Sequence, residues 1–475
     1  MSYSAHDRFD VIVVGGRCAG ASLALLLSRA GIRVCVVDRA AFPSDTLSTH
    51  GVQPSGVKIL ERLGVLETIL EVAPPIDRGT LAFDDARVES GDLVDLLGAP
   101  MVNVRRVTLD AILLDAARAA GADVRTETTI TGLVRSRGRV AGVDTSAGEL
   151  CAPIVVGADG VRSTVARLVG AAEYHRTPAC RTFMWTYFDG AAVDRSRVLL
   201  GKIEDVAYLA SPTDAGLFMV AVAPSADRRA VLRGEREAGY AKALACWPEL
   251  EASLAGATRS GPIRMMTPSH GYFRESAGPG WVLTGDAGHF KDPTPGQGIS
   301  DALRQAVELS RAIEQSLDAA CPKDEPLRDW WTWRDRDAWE MYWFARDMGA
   351  PGATPPLRQE VQRRIAAEPA LLDGLLRVLS HELPPSKLFT PSLALAATTK
   401  ALLRRRGERK RILREAYDLV ADELRHRNPP RHARTWWDDG LKAPPVRLDG
   451  HTIEVMARPR PQHSAPSTID PRSSS

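Results

Sequence analysis

A turn of glycines, followed after a helix and a strand by an acid, is the first place where residue types in this sequence could do chemistry. The stretch DVIVVGGRCAGASLALLLSRAGIRVCVVDRA, residues 10–40, predicts strand, turn, helix and second strand. Gly15 and Gly16 lie where the chain must turn sharply, and Gly20 lets the helix approach the sheet. The helix N-terminus favours a pyrophosphate, and Asp38 is placed to accept hydrogen bonds from a ribose diol. The pattern predicts a nucleotide site; an ordinary β–α turn is the alternative.

Arg17 occupies the position at which the usual fingerprint has its second glycine. That glycine normally lets the backbone approach the phosphates, so Arg17 must either point away from them or supply charge to them. Both arrangements are physically possible. We predict that the cofactor-binding residues of this unit are Gly15, Gly16, Arg17, Cys18, Ala19, Gly20, Asp38 and Arg39.

A pair of arginines precedes the next amphipathic helix, in VRRVTLDAILLDAARAAG. Arg105 and Arg106 stand just before Thr108, the predicted N-cap, where the helix dipole disfavours positive charge unless an anion is close. Arg106 is therefore a candidate for the phosphate or ribityl region of the cofactor. An exposed arginine with no ligand is the alternative.

Two downstream motifs make the assignment more specific. GADGVRSTV, residues 157–165, and GWVLTGDAGHFKDPTPGQGISDAL, residues 280–303, follow the opening turn in order. Together the three motifs resemble those of the FAD-dependent aromatic hydroxylase family, the p-hydroxybenzoate hydroxylase-like flavoprotein monooxygenases. The resemblance covers residues 9–317.

The resemblance implies roles for the residues of these motifs. Asp286 would bind the ribityl chain of FAD, and Asp159 would help to hold the flavin and shape the face that meets the pyridine nucleotide. The loop before the long helix would lie against the flavin ring, where the helix N-terminus stabilises the anion of reduced flavin. The cofactor-binding residues implied in this way are Asp159, Gly160, Gly285, Asp286, Pro293, Gly296, Gln297, Gly298 and Ile299.

The same resemblance implies an activity. One nucleotide fingerprint is present and no second βαβ unit follows Val165, so NAD(P)H would bind transiently, reduce FAD and leave. Reduced flavin would take up molecular oxygen as a C(4a)-hydroperoxide, and an aromatic or polycyclic small molecule would be hydroxylated or epoxidised. The protein would position the substrate and exclude water.

Three other functions stay open at this point. A flavin-dependent reductase of isolated double bonds, like the geranylgeranyl reductases, carries the same flavin motifs. A flavin-dependent halogenase is related by fold, although the WxWxIP pattern of the tryptophan type is absent from DWWTWRDRDAW. A flavin-containing binding protein is the non-enzymatic alternative, and oxygen uptake with NADH or NADPH would separate it from an enzyme.

The substrate is expected between the flavin ring and strands of a second domain, because ligands collect where two domains meet. Trp185 and Tyr187 alternate onto one face of TFMWTYFDG, with Tyr208 and Met219 offered by other strands. His50 follows the second strand and is the titratable candidate near the flavin, with a solvated loop histidine as the alternative. The predicted catalytic residues are His50, Trp185 and Tyr187.

The fold class predicted is mixed α/β, with a discontinuous Rossmann-like FAD domain, a β-rich substrate domain and a helical C-terminal region. The predicted divisions are an FAD domain over 8–172 and 266–320, a substrate domain over 173–265, C-terminal helices over 321–450 and a disordered tail over 451–475. Trp339 and Trp343 would share a helix face, either as core or as the roof of an aromatic pocket.

Charge and cysteine content exclude several classes. Lys and Arg number 61 against 59 Asp and Glu, and the basic run of residues 404–411 is interpreted as a solvated helix end, so no nucleic-acid partner is expected. The six cysteines show no paired spacing, which suits a reducing compartment and no metal. No apolar run is long enough to cross a bilayer, so a soluble, cytoplasmic protein is expected. The oligomeric state is unknown.

Overall fold

A computed structural model describes residues 8–48, 50–84, 86–318 and 323–426, with the strand pair Arg447–Leu448 and His451–Thr452. In chain order the strands are β1 (Val11–Val14), β2 (Val34–Val37), β3 (Gly51–Val52), β4 (Pro75–Ile76), β5 (Arg78–Phe83), β6 (Ala86–Glu89), β7 (Met101–Asn103), β8 (Asp123–Arg125), β9 (Ile130–Ser136), β10 (Arg139–Thr145), β11 (Gly148–Cys151), β12 (Ile154–Gly157), β13 (Glu173–Thr177), β14 (Met184–Asp189), β15 (Arg197–Ile203), β16 (Val206–Pro212), β17 (Phe218–Pro224), β18 (Thr258–Met265), β19 (Gly271–Arg274), β20 (Ala277–Gly278), β21 (Trp281–Leu283), β22 (His289–Phe290), β23 (Arg447–Leu448) and β24 (His451–Thr452).

The helices alternate with the strands at first and follow one another after residue 298. In chain order they are α1 (Cys18–Arg29), α2 (Pro54–Arg62), α3 (Leu66–Val72), α4 (Leu93–Leu97), α5 (Arg106–Ala119), α6 (Thr164–Val169), α7 (Arg229–Gly234), α8 (Arg236–Leu244), α9 (Pro248–Ser253), α10 (Gly298–Leu317), α11 (Glu325–Met348), α12 (Pro356–Ala367), α13 (Pro369–Leu379), α14 (Pro385–Leu388), α15 (Pro391–Arg404) and α16 (Arg409–His426).

The first sheet is the parallel sheet that the opening motif predicts. Its order is β20-β21-β12-β1-β2-β8, and β1 pairs in parallel with both β2 and β12. The strands are continuous apolar runs because both faces of the sheet are covered, one by helices and the other mainly by the three-stranded sheet β11-β10-β9. Helices α1, α5 and α10 pack on one side, and their buried leucines and valines form the largest core of the molecule. The mixed α/β class and the discontinuous first sheet are confirmed.

The second sheet has seven strands in the order β18-β14-β17-β16-β15-β5-β6. Four of the strands expected between residues 173 and 265 are present, as β14 to β17. Two differences from the sequence expectation stand out. The strands β5 and β6 come from within the segment assigned to the first FAD-domain part, and α7, α8 and α9 interrupt the segment expected to be nearly all β. These helices cover one face of the sheet, so the other face is left to meet the first domain.

Residues 323–426 are mainly helical, as predicted, with α11 packed along α10. Trp339 is buried against Phe273 of β19 and Tyr342, in agreement with the core interpretation of its helix face. Of the tail predicted to be disordered, residues 453–475 lie outside the described residues. Among the helices that the structure describes, none combines the length and apolar character that crossing a membrane requires.

Candidate functional site

The glycine turn between β1 and α1 is closed by backbone contacts that no side chain would permit. Gly15 has φ of +105°, and a Cβ there would lie 2.5 Å from the carbonyl oxygen of Ala158. A Cβ on Gly20 would lie 1.8 Å from the carbonyl oxygen of Gly15. These two glycines are therefore required for the turn itself and for the approach of α1 to the sheet.

Asp38 closes β2 and reaches back to this turn. One carboxylate oxygen accepts a hydrogen bond from the Gly16 N–H at 2.7 Å, and the other accepts from the Ala40 N–H at 2.8 Å. The acid is thus held at the mouth of the turn with lone pairs left for a diol. Arg39 is exposed beside it.

The side chain of Arg17 turns to the loop that follows β2. Its guanidinium donates to the Ser44 hydroxyl at 3.1 Å and to the carbonyl oxygens of Ser44 and Asp45 at 3.2 Å each. It also pairs with the buried carboxylate of Asp110 at 2.9 Å. Of the two arrangements open from the sequence, the structure has the arginine engaged by protein acceptors.

Asp110 is the buried anion of this region, and the sequence reasoning missed it. Its carboxylate accepts from the Cys18 N–H at 3.2 Å, the Cys18 thiol at 3.0 Å and two nitrogens of Arg106 at 2.9 and 3.1 Å. Helix α5 begins at Arg106, so the prediction of Thr108 as N-cap is wrong: the Thr108 hydroxyl donates to Asp214 instead. The only signal in the sequence was the spacing of four between Arg106 and Asp110.

Arg106 lies near Asp286 of the third motif. Burial lowers the pKa of its guanidinium, but the carboxylate of Asp110 outweighs this and raises the pKa above its usual value; Asp286 adds to that effect. The arginine therefore stays charged within the protein, between one anion that it binds and a second that it faces.

Asp286 lies in the short 3₁₀ turn after β21. Its side chain is accessible to solvent, but many protein atoms lie close to the carboxylate. This enclosure raises the pKa of Asp286 to about 6, while Arg106 works in the opposite direction. The turn is fixed by the Tyr272 hydroxyl, which donates to the Asp286 carbonyl at 2.6 Å. A Cβ on Gly285 would lie 2.9 Å from the Cβ of Ala19, so the first and third motifs touch.

Asp159 caps the N-terminus of helix α6. Its carboxylate accepts from the Ser163 hydroxyl at 2.5 Å and from the Thr164 and Val165 N–H groups at 2.6 and 3.3 Å, which caps α6. Burial raises its pKa despite these hydrogen bonds. Gly160 has φ of +76°, and a Cβ there would meet nothing within 4 Å, so the backbone faces open space.

The loop of residues 293–297 delivers the N-terminus of α10. Gly296 has φ of +65°, and a Cβ on Gly298 would enter open space. The helix has no side-chain cap, so its first amides are available to a ligand. Ile299 packs in the large core, and the Gln297 amide donates to the Val378 and Leu379 carbonyls at 3.1 and 2.9 Å. Gln297 thus attaches the loop to the C-terminal helices.

Behind this loop lies a buried ionic cluster that sequence reasoning did not identify. Asp301 of α10 pairs with Lys291 at 2.5 Å and Arg304 at 3.0 Å, and Arg304 pairs with Asp337 of α11 at 2.9 Å. Burial raises the pKa of Asp301, but the two cations hold it well below its usual range. His381 contacts both Arg304 and Asp301. The cluster fixes the start of α10 to the C-terminal helices.

The three residues predicted as catalytic come together. The His50 Nε2 atom lies 2.5 Å from the Tyr187 hydroxyl, their rings stack at 5.9 Å, and the His50 ring meets Trp185 edge-on at 6.1 Å. His50 is fully buried, so the interpretation as a solvated loop histidine is wrong. Burial raises the pKa of the Tyr187 phenol, which keeps its proton at neutral pH.

Trp185 and Tyr187 share a sheet face with Met219 and Ala221. A gap between this face and the loop before α10 is lined by the following residues: Gly51, Phe183, Ala207, Tyr208, Leu209, Ala221, Ala223, Pro293, Thr294 and Gly296. The Tyr208 ring belongs to the opposite face, where its hydroxyl donates to the Ala243 carbonyl and its ring meets Trp247. Tyr208 therefore contributes backbone, not its ring, to the gap.

Two arginines border Tyr187. The guanidinium carbons of Arg105 and Arg264 lie 5.9 and 6.0 Å from the Tyr187 ring centre. Arg105 pairs with Asp214 at 3.0 Å, and Arg264 pairs with Asp45 of the loop that Arg17 holds. Asn103, which is opposite Gly51 in the β3–β7 pairing, is fully buried, and neither amide atom has a hydrogen-bond partner within the described chain. Sequence reasoning did not select Asn103.

Comparison with known proteins identifies the family to which this chain belongs. A family model described as FAD binding domain matches residues 8–324. The chain belongs to the FAD binding domain family. It is an FAD-dependent oxidoreductase.

Relatives carry different activities on this domain. The chain is 27% identical over 321 residues to rifampicin monooxygenase of Streptomyces venezuelae, a match that covers 66% of each protein. It is 30% identical to 6-methylpretetramide 4-monooxygenase of Streptomyces rimosus, over 65% of the chain and 76% of the relative. It is 29% identical to menaquinone reductase of Mycolicibacterium smegmatis, over 64% and 76%.

Among solved structures, the flavin-dependent brominase Bmp2 shares the fold. Its TM-score is 0.68 with 19% sequence identity, and the match covers 83% of this chain and 98% of the brominase. At that identity the likeness concerns the fold alone, and it extends into the C-terminal helices.

The residues present fit FAD. A tight glycine turn, the N-terminus of α10 without a side-chain cap, and open space at Gly160 and Gly298 give a backbone surface for a long dinucleotide. Asp38 stands at the ribose end, with Asp286 and Arg106 where a polar chain would pass. The binding roles of individual residues stay predictions.

Proposed function

We propose that this protein is an NAD(P)H-dependent FAD monooxygenase that hydroxylates or epoxidises an aromatic or polycyclic small molecule in the gap between the second sheet and the loop before α10. The observation that carries the proposal is the contact of His50 with Trp185 and Tyr187, which share a sheet face with Ala221, a residue that lines the gap. Two relatives named as monooxygenases support it.

The chain's own residues supply a flat, largely apolar binding surface. Phe183, Leu209 and Pro293 line the gap with apolar area that stabilises an aromatic ring and excludes water, and buried Trp185 and Met219 support the sheet face. FAD, when bound, supplies the reaction of reduced flavin with molecular oxygen. The polar groups at this surface are few, which is typical of a site that fixes the orientation of an apolar ligand.

The Tyr187 hydroxyl and the His50 imidazole form the proton-handling pair of this surface. Their 2.5 Å separation lets a proton pass between Tyr187 Oη and His50 Nε2 without movement of either ring. The raised pKa of Tyr187 keeps its hydroxyl protonated, so the hydroxyl can donate to a substrate oxygen when His50 Nε2–H is the donor within the pair. Arg105 and Arg264 stand beside the ring and stabilise negative charge that develops there.

Reduction of an isolated double bond is the second candidate, because the menaquinone reductase is as similar to this chain as the monooxygenases are. The two reactions differ in whether oxygen is consumed. A reductase transfers reducing equivalents to the substrate, whereas a monooxygenase places one oxygen atom in the product and the other in water.

The test measures NADH or NADPH oxidation, oxygen uptake and product mass together, with isotopically labelled oxygen gas and a panel of aromatic and polycyclic compounds. We expect substrate-stimulated oxygen uptake and one labelled oxygen atom in the product. Substrate reduction that proceeds at the same rate without oxygen would establish the reductase. A product formed only with added halide would establish a halogenase, and no nicotinamide oxidation with any compound would leave a flavin-binding protein.

A further inference from the structure

Two neighbouring helices near the end of the described chain carry an unusual concentration of exposed apolar side chains. Of the twelve large apolar side chains that are exposed in the described part of the chain, seven lie on α15 and α16. They are Leu395, Leu403, Leu413, Tyr417, Leu419, Val420 and Leu424. An exposed apolar patch of this kind marks an interaction surface.

The exposed residues on α16 form a stripe that is separate from its core face. Leu413, Tyr417, Val420 and Leu424 follow one another at spacings of four, three and four, and each is more than half exposed. The core side of the same helix is marked by Ile412, which is fully buried. The helix therefore has one apolar side for its own fold and a second one that the fold does not use. We call the four residues the α16 stripe.

Positive charge borders the α16 stripe. At 3.6 residues per turn, Arg409 and Lys410 lie about 50° to either side of its centre, and Arg414 lies about 90° from it. All three are exposed. The acids Asp418 and Asp422 lie more than about 120° from the centre, and Asp422 pairs with Arg346 of α11. The stripe is thus apolar in the middle and bordered by cations over its N-terminal half, and the acid nearest to it by position along the helix is Glu423, about 90° from the centre.

We propose that the α16 stripe docks this protein on an anionic lipid surface. An apolar stripe with cationic borders and an aromatic residue that has a polar end, here Tyr417, is the pattern of helices that lie in a membrane interface. A membrane with anionic lipids offers the two complements, an acyl region for the leucines and phosphates for the bordering cations. The docking is peripheral and reversible.

A second copy of the chain fits this surface less well. A symmetric partner would present the same three cations against the single acid, Glu423, whose position borders the stripe. The residues that follow the helix are no better matched, because residues 427–475 contain eight Lys and Arg against five Asp and Glu. A cationic border needs an anionic partner, and a lipid surface supplies one.

The test is flotation of the full-length, FAD-loaded protein with two kinds of vesicle, phosphatidylcholine alone and phosphatidylcholine with phosphatidylglycerol. We expect binding to the anionic vesicles that weakens as salt is raised. The double variant Tyr417→Ser/Leu424→Ser should lose at least tenfold in binding, because two apolar side chains no longer insert. Arg409→Gln/Lys410→Gln should lose a similar factor at low salt only.

Matched controls change the same chemistry elsewhere. Val231→Ser on α7 removes an apolar side chain that is 61% exposed, and Lys242→Gln on α8 removes an exposed cation. Both should bind vesicles like the unaltered protein. Flavin content and activity on a water-soluble substrate should not change in any of these variants, so a failure of docking is separable from a failure of the proposed reaction.

Three results would overturn the proposal. One is the absence of binding to either vesicle at low salt. A second is equal loss of binding in the stripe variants and in the controls. The third is a stable dimer in solution that Tyr417→Ser/Leu424→Ser converts to a monomer while vesicle binding is absent, which would assign the stripe to a second copy.

Discussion

The two sides of the central gap are built by different means. On the cofactor side the turn after β1 depends on backbone geometry, since a side chain at Gly15 or Gly20 would collide with a carbonyl oxygen. On the side where we propose that the substrate binds, β14 and β17 form a regular sheet that tolerates many residue types, and we propose that the side chains of Trp185 and Tyr187 serve the reaction.

This difference explains why the amino acids on the substrate side can vary more than those in the glycine turn. Backbone collisions of under 3 Å leave little choice of residue, so the cofactor side is restricted to glycine at those positions. A sheet face accepts many side chains of similar volume. Relatives can therefore share the FAD binding domain while acting as monooxygenases or as a reductase.

The largest effect is expected on the cofactor side. Asp286→Ala should weaken FAD binding about tenfold to a hundredfold, because a hydrogen bond to a charged group is removed from an enclosed site. Titration of the apoprotein with FAD measures the dissociation constant. Asp189→Ala, which removes an exposed acid on the second sheet, is the control. Unchanged affinity in Asp286→Ala would show that the third motif does not hold the flavin.

A smaller and different effect is expected on the substrate side. Trp185→Ala and Tyr187→Ala should keep FAD but raise the Michaelis constant of the substrate about tenfold and release more peroxide, since water enters the gap. Tyr187→Phe should retain the fold and lose the contact with His50. Tyr208→Phe, which alters a hydroxyl on the opposite face, should behave as the unaltered enzyme. Full coupling in both alanine variants would move the pocket to another face.

A third prediction uses pH to test the cofactor side without changing its shape. The pKa of Asp286 is raised to about 6 in the protein without ligand. The ionised acid accepts more hydrogen bonds from hydroxyls, so FAD affinity should be full above about pH 7 and fall as pH drops through 6, up to about tenfold at pH 5. Asp286→Asn should give a flat profile over this range. The same slope in both proteins would assign the titration to another group.

The smallest effect is expected where the two sides meet, at Arg17. Arg17→Ala removes the hydrogen bonds that hold the loop of residues 42–48, and should lower stability by about 1 kcal/mol because the pair is partly exposed. Hydrogen exchange in the loop should rise while FAD affinity changes less than fivefold. Loss of FAD with an unaltered loop would mean that Arg17 supplies charge to the phosphates.

What the sequence could predict follows the same division. The βαβ unit, the long helix α10 and the strands β14 to β17 were readable because their apolar patterns are long and bounded by turn residues. The placement of β5 and β6 in the second sheet could not be predicted from the sequence, because pairing between strands far apart in sequence leaves no local pattern.

The buried charged residues are the other feature that could not be predicted from the sequence. Asp110, Asp301 and Arg304 look like ordinary helix-surface residues in sequence, and only the fold shows that they face one another. For His50, Trp185 and Tyr187 the residue types and strand alternation were enough to select them, whereas their 137-residue separation hid the hydrogen bond that joins His50 to Tyr187.

The participation of β5 and β6 in the seven-stranded sheet has a consequence for protein engineering. The sheet is assembled from two separate stretches, Arg78–Glu89 and Met184–Met265, so four chain crossings join it to the flavin-side sheet. A chimera that exchanges substrate specificity with a relative must graft both stretches together. A single-segment graft over residues 173–265 would leave a foreign β15 beside the resident β5, along the whole Arg197–Lys202 pairing.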